Sequence, residues 1–225
     1  MGYRQVRMAL RAEQGLCLSG KTVLKLMREE DCVCRIRRKR YNSYRGEVGK
    51  AAGNILNRDF RAAAPLRKLT TDVTEFKVAG KRVYLSPVMD LFNNEILAWS
   101  ISESPNMAQV NDMMDKLEAV LGNSRPLLHS DQGWQYQQRF FQLRLARLGI
   151  TQSMSRKATC LDNACMEGFF GHLKDEFYRG RRFNSVEEFR NDLDAYIRYW
   201  NTQRYQARLK GMTPVQYRGH SDAAV

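Results

Sequence analysis

The sequence predicts an α/β fold preceded by a small, basic helical module, and three observations carry that expectation. Between Leu69 and Ser102 three strand-like segments follow one another through tight turns at Gly80-Lys81 and Asn93-Asn94, as in an antiparallel meander. From Asn106 onward, stretches with helical apolar spacing alternate with short apolar runs, the alternation of an α/β chain. Charge is concentrated at the front: residues 1–68 carry 17 Lys or Arg against 6 Asp or Glu, whereas the remainder carries 20 against 18.

A chain of 225 residues with 43% hydrophobic content can build one full domain and a small companion. The net charge of +13, gathered in a separable module, suits a polyanionic partner, nucleic acid first among them; the alternative is a solvated basic face. Five cysteines, at positions 17, 32, 34, 160 and 165, form no regular framework, which favours a reducing cytosol over a disulfide scaffold. Cys32 and Cys34 lack zinc spacing and the histidines at 129, 172 and 220 are remote, so no structural zinc is expected. No apolar run approaches the roughly 18 residues of a membrane span, and no export signal follows Met1.

Val6 and Leu10 recur at helical spacing up to Gly15. Ser19 can cap a second helix with Val23, Leu24 and Met27 on its apolar face and Lys21, Lys25 and Arg28 on others, a helix-turn-helix pattern. Residues 35–45, RIRRKRYNSYR, hold six bases and no acid, with Tyr41 and Tyr44 interleaved. Arg35, Arg37, Arg38, Lys39 and Arg40 can neutralise phosphates while the tyrosines stack, unless the run is a charged linker. Domain boundaries follow: a partial helix-turn-helix and basic segment over 1–45, a connector over 46–68, the core over 69–180 and a helical extension over 181–225.

In the core, TTDVTEFKV alternates as a single strand carrying Asp72, with Glu75 and Asp90 as rival acids. Asn106 can cap a helix packed through positions 110, 113, 114, 117, 120 and 121 and ended by Gly122. Pro126-Leu127-Leu128 reads as a short buried strand delivering His129, Ser130 and Asp131 at its end, where open α/β sheets place their chemistry; Asp131 opening an Asp-Gln-Gly turn is the plainer alternative. Phe140, Phe141, Leu143, Leu145 and Leu148 supply the apolar side of the next helix, leaving Arg139, Arg144 and Arg147 for solvent or DNA. Ile150–Met154 reads as the last strand, followed by a loop with Arg156 and Lys157. Asp162 can cap the helix carrying Glu167. Seven residues on, Lys174 shares that helical face about 10 Å away. Ser185 and Glu188 form a capping box opening an amphipathic helix through Phe189, Leu193, Tyr196, Ile197 and Trp200, and Thr213-Pro214 starts a further turn.

The words TDVTEF, HSDQGWQY and DNACMEGFFGHLK, with YIRYWNTQRYQARLKGMTPVQYR near the end and GYRQVRMAL near the start, resemble bacterial insertion-sequence transposases of the Asp-Asp-Glu type, whose core is similar to retroviral integrases. The likeness spans nearly the whole chain, although the His-His-Cys-Cys domain of the integrases has no counterpart. It implies a ribonuclease-H-like mixed sheet flanked by helices. It also implies that Asp72, Asp131 and Glu167 bind two Mg²⁺ or Mn²⁺ ions and that Lys174 contacts a phosphate. The implied partners are terminal inverted repeats, target DNA, further copies of the chain and an upstream reading-frame protein; the implied place of work is the bacterial cytoplasm. A nuclease of the same fold that never joins ends, or a DNA-binding regulator with an inactive core, are the competing classes.

Overall fold

A computed structural model describes residues 2–33, 52–156 and 160–222. The basic residues Arg35, Arg37, Arg38, Lys39, Arg40 and Lys157 lie outside the described residues. At the front, α1 (Tyr3–Gln14) ends at Gly15, whose φ of 69° suits a residue without Cβ, and α2 (Gly20–Glu29) is capped by Ser19, which accepts from the Thr22 N–H. Val23 and Met27 are buried, as their spacing predicts, and Leu24 of the same face is half-buried.

Six strands form one mixed sheet. They are β1 (Lys68–Thr71), β2 (Thr74–Val78), β3 (Lys81–Asp90), β4 (Ile96–Ser102), β5 (Leu127–Ser130) and β6 (Thr151–Met154). β1, β2 and β4 all pair antiparallel with β3, whereas β5 pairs parallel with β1 and β6 parallel with β5. The expected single strand over TTDVTEFKV is broken, so Asp72 is not on a strand. The pairings Thr71↔Val88 and Thr74↔Leu85 keep one register across the gap, which sets Asp72 opposite Pro87. Pro87 has no N–H to give, and its carbonyl accepts instead from the Thr71 hydroxyl at 2.8 Å. The ladder therefore opens at Asp72-Val73 without a change of register.

Helices cover both faces. On one side α3 (Met107–Leu121), capped by Asn106, and α4 (Arg139–Arg147) enclose Leu69, Val88, Met113, Met114, Leu117, Leu128, Phe141 and Leu145. On the other, α5 (Ala164–Leu173), a π-helical turn at Lys174–Tyr178 and α6 (Val186–Thr202) pack Phe169, Leu173, Phe177, Phe189, Leu193, Ile197 and Trp200 on Phe76, Leu85 and Met89. α7 (Pro214–Asp222) follows. Leu56, read as connector, is buried in this second core, and the N–H groups of Ile55 and Leu56 both donate to Ser153 Oγ at 3.0 Å. The box at the start of α6 closes with a shift, since Glu188 accepts from the Asn184 N–H rather than from the cap residue.

α4 departs from its expected pattern. Phe140 and Leu143 are 59% and 58% exposed, so only Phe141 and Leu145 anchor the helix firmly. Arg144, expected to face solvent or DNA, is drawn to Asp115 and Glu118 of α3, and Arg147 also reaches Glu118. Two helices side by side on one sheet face favour opposite charges along their seam. Periodicity along one helix cannot show that.

The C-terminal extension is locked down by a buried ion pair. Arg204, with a side chain 7% exposed, donates to both Glu176 oxygens and stacks 4.5 Å from the Trp200 ring centre, while the Tyr196 hydroxyl donates to the same carboxylate. Burial alone would raise the Glu176 pKa, but hydrogen bonds from His172 and Arg204 outweigh it and hold it near 2, below its ordinary 4.5. A carboxylate depressed on folding stabilises the protein above its unfolded pKa and loses that contribution as pH falls through the folded one. Arg204→Met should therefore cost about 3 kcal/mol at pH 7, because it strands a buried charge. Between pH 5 and pH 2 the wild-type melting temperature should fall more steeply than that of Arg204→Met, in which protonation relieves the stranded carboxylate. Parallel melting curves for the two proteins would mean that the pair adds nothing.

Candidate active site

The site is assembled by register. β1 and β5 are parallel neighbours with Thr70 beside His129, so two residues further along each chain Asp72 and Asp131 emerge side by side. Neighbouring strands lie about 4.8 Å apart, which sets the order of the separation between the two positions. Alternation fixes the face: Leu69 and Leu128 point into the core under α3 and α4, so Thr70, Asp72, His129 and Asp131 turn toward α5. Glu167 stands in the first turn of that helix.

Asn163, immediately before α5, ties the helix to β1. Its Oδ1 accepts from the Thr70 hydroxyl and its Nδ2 donates to the Thr71 carbonyl, so one side chain fixes the helix start against the two residues preceding Asp72. Asp162, expected as the helix cap, has another task. Its buried carboxylate accepts from Arg58 Nε at 2.7 Å, Asn54 Nδ2 at 3.0 Å and the Arg156 backbone and guanidinium. Those bonds, Arg156 above all, hold it well below the usual carboxylate range. Four bonding groups from two separate loops satisfy a buried acid better than one backbone N–H at a helix end. Arg156, expected as a DNA contact, is thus held by Asp162 with half its side chain still exposed.

Burial disfavours the charge of all three acids. Burial, and then the neighbouring Asp131 and Glu167, raise the Asp72 pKa well above its ordinary value, opposed by the Val73 N–H and by Lys174. Burial also raises Asp131, against a hydrogen bond from the Gly133 N–H, and raises Glu167. Each aspartate is oriented through Oδ1, by Val73 N–H at 2.7 Å and Gly133 N–H at 2.8 Å, which leaves the second oxygen unused by that bond. Gly133 leaves room for this bond, since a Cβ would stand 2.9 Å from Asp131 Oδ1 and 2.6 Å from Gln135 Nε2, and those side chains would have to shift. Among the described residues no three His, Cys, Asp or Glu side chains stand close enough together to hold a metal ion as they are placed. Asp131 and Glu167 do lie within electrostatic reach of Asp72, and carboxylate oxygens are hard donors of the type that suits Mg²⁺ or Mn²⁺.

Lys174 stands where the α-helix gives way to the π-helical turn, so it does not simply repeat the Glu167 face. Its ammonium lies 5.6 Å from the Phe76 ring centre; burial and Arg179 lower its pKa while Asp72 and Glu75 oppose them. The rival acids have other roles. Buried Asp90 accepts from the Leu66 and Phe92 N–H groups, and Glu75 lies on the exposed side of β2 near Arg82.

Three groups have supporting roles that the sequence does not show, although it places His129 at the strand end. Tyr136 is fully buried under Asp72 and Asp131, with its hydroxyl 3.4 Å from that of Thr71. His129 is clamped between the Ser153 and Ser155 hydroxyls, and burial lowers its pKa to about 4, so it is neutral at pH 7 and braces β5 against β6. Asn163 is the third. The sequence signal for all three was adjacency to an acid already singled out.

The comparisons with known proteins agree with this geometry. Integrase core domain models match residues 62–160 and 167–221, and an HTH-like domain model matches 1–40. The putative transposase InsK for insertion sequence element IS150 of Escherichia coli is 48% identical over 98% of this chain and 78% of its own length. An uncharacterized transposase-like protein of Haemophilus influenzae is 46% identical over 95% of this chain and 99% of its own. Among solved structures, the simian T-cell lymphotropic virus intasome in complex with PP2A regulatory subunit B56 gamma superposes with a TM-score of 0.61 at 16% identity, covering 94% of this chain and 74% of that one. The HTLV-2 integrase catalytic core domain in complex with magnesium gives 0.55 at 16% identity over 70% and 99%. These structural likenesses establish the ribonuclease-H-like fold, and the sequence identities go further: the chain belongs to the family of bacterial insertion-sequence transposases built on an integrase core.

Proposed function

We propose that Asp72, Asp131 and Glu167 hold two divalent cations, and that with them the chain cuts DNA at the ends of an insertion element and joins those ends to target DNA. The observation that carries this is the pairing of β1 with β5, which aligns Asp72 and Asp131 on the face covered by the helix bearing Glu167. Bound Mg²⁺ or Mn²⁺ supplies activation of the attacking oxygen and stabilisation of the leaving one. The three carboxylates would hold the ions, and the backbone bonds at Val73 and Gly133 would keep the two aspartates in position for them. Lys174 would meet a phosphate beside the scissile bond, with Asp72 close enough to act on its charge.

The chemistry is two in-line displacements at phosphorus. In the first, water attacks a phosphodiester at the element end, the bond to the 3′ oxygen breaks, and a 3′-hydroxyl and a 5′-phosphate result. In the second, that 3′-hydroxyl attacks a target phosphodiester, whose own 3′ oxygen leaves. Each step forms one P–O bond for each one broken, the proton lost by the attacking oxygen is matched by one gained by the leaving 3′ oxygen, and no side-chain nucleophile is required. The segment Arg35–Arg40 with Arg156 and Lys157 would add backbone contacts, and the division at 45, 68 and 180 would separate DNA binding from catalysis. An assembly of several copies on DNA is part of the proposal; the simian virus neighbour is itself described as an intasome.

Asp72→Asn, Asp131→Asn and Glu167→Gln should each abolish Mg²⁺-dependent cleavage of an element-end duplex while leaving DNA binding within a few-fold. Near-wild-type cleavage by any of them would remove that residue from the site. A strand-transfer assay separates the transposase from a hydrolase of the same fold, since only the former yields products joined to a second duplex.

Lys174→Ala should slow cleavage or joining with little loss of stability, and Lys174→Glu should do worse, because it repels the phosphate that lysine attracts. Equal end processing by all three proteins would reduce Lys174 to a surface lysine.

Two carboxylates about 5 Å apart repel by roughly 3 kcal/mol when both are ionised at an effective dielectric near 20, an upper-end figure. In metal-free buffer Asp131→Asn should therefore melt higher than wild type, and it should gain less from added Mg²⁺ or Mn²⁺. A variant that melts lower and gains as much from metal would show that no carboxylate cluster surrounds Asp131.

A further inference from the structure

The two ends of the chain meet over a cleft distinct from the acidic site. The Tyr205 hydroxyl donates to Glu13 at 3.2 Å, and the side chain of Met8 on α1 lies against Gly211, where an added Cβ would meet it at 3.8 Å. Between them opens a space of about 870 Å³. Its walls present Arg4, Arg7 and Arg11 from α1, Lys21 from the first turn of α2, and Lys210 from the turn after Leu209, and none of the lining residues is Asp or Glu. All five cations are exposed.

Spacing and cost both indicate what this row is for. Steps of three and four residues put Arg4, Arg7 and Arg11 on one face of α1, spread over about 10.5 Å of helix at 1.5 Å per residue. One DNA strand carries a phosphate about every 3.4 Å along the duplex axis, so the row spans roughly three. Like charges at this helical spacing destabilise a helix by a few tenths of a kcal/mol per pair, so folding alone does not favour such a row. Lys210 closes the cleft from the opposite end of the sequence in a left-handed conformation, φ 57°, which projects it from a tight turn.

We propose that this cleft grips the phosphodiester backbone of duplex DNA, and that the N-terminal helices and the C-terminal turn act on it jointly. The proposal rests on the reading of the chain as a DNA transposase and adds that the C-terminal extension is part of the DNA-binding surface. Backbone contacts carry no sequence code, so a labelled duplex of mixed sequence is a sufficient probe.

The test is the salt dependence of binding by the full chain, for wild type, Arg7→Gln/Arg11→Gln, Lys210→Gln, Lys210→Gly and, as a control outside the cleft, Lys116→Gln. Each lost phosphate contact should lower the slope of log affinity against log salt by about 0.9, so wild type loses about 3.5-fold more affinity per contact between 50 and 200 mM than the variant lacking it. The expected result is a lower slope for the double arginine variant and for both Lys210 variants, with Lys116→Gln unchanged. Every substituted side chain is exposed, and Gly suits the backbone at 210, so circular dichroism should be unaltered. Wild-type binding with an unchanged slope for both Lys210 variants would overturn the joint clamp while leaving the transposase reading intact. Failure of wild type to bind or cleave duplex DNA at all would overturn the reading itself, and the clamp with it.

Discussion

Everything in the catalytic region depends on one pairing, β1 beside β5 in parallel. Parallel neighbours need a crossover, and here the crossover is the whole excursion from β2 through α3, which explains why two adjacent acids are 59 residues apart in sequence. Because side chains alternate along both strands, sliding β5 by one residue would turn Asp131 into the opposite core, and sliding it by two would part it from Asp72 by a full pleat. Register is held by packing, through Leu69 and Leu128 on one face, and by polar bonds on the other, where Thr70 meets Asn163 and His129 meets Ser153. The polar set does what a hydrophobic core cannot: it fixes direction as well as proximity, and it links β1, β6 and the start of α5 into one unit around the acids.

The mutual repulsion of those acids is tolerated because the surroundings are rigid. Asp72 is released from the sheet by the missing N–H of Pro87, and its carboxylate is caught at once by the Val73 N–H. Asp131 is caught by Gly133, whose lack of a side chain makes room for the carboxylate. Asp162, a few residues before Glu167, is neutralised by arginines and so stays outside the repulsive set. Asp72 is raised by burial first and by its acidic neighbours second, whereas the arginine bonds at Asp162 outweigh burial and depress it.

The sequence makes much of this legible, and the limits have physical causes. Strands β3 to β6, the capped helices and the core methionines of α3 follow from local periodicity and cap chemistry, which depend on near neighbours. The break at Asp72 does not, because it arises from which residue lies opposite, and the Pro87 that opens the ladder is fifteen positions away. Asp162 misled for a related reason: an Asp before a helix is a good cap only if nothing stronger competes, and the competitors Arg58 and Asn54 arrive from a segment that reads as linker. The helical face shared by Glu167 and Lys174 was an α-helical inference, and the widened turn after Leu173 alters the angle without taking Lys174 out of the field of Asp72.

A site that collects negative charge must also admit a polyanion, and the distribution of bases meets that conflict. From residue 69 onward the net charge is only +2, and many of those bases are already committed, Arg144 to α3, Arg156 to Asp162 and Arg204 to Glu176. The core by itself has little net attraction to offer a DNA backbone. The excess lies in the first 68 residues, and the contacts of Glu13 with Tyr205 and of Met8 with Gly211 bring part of it against the C-terminal turn. Attraction at long range and repulsion at the reacting centre are thereby separated in space. On the proposed reading, DNA would be held by the bases of the N-terminal module and the C-terminal turn, and the acids would be left for the ions.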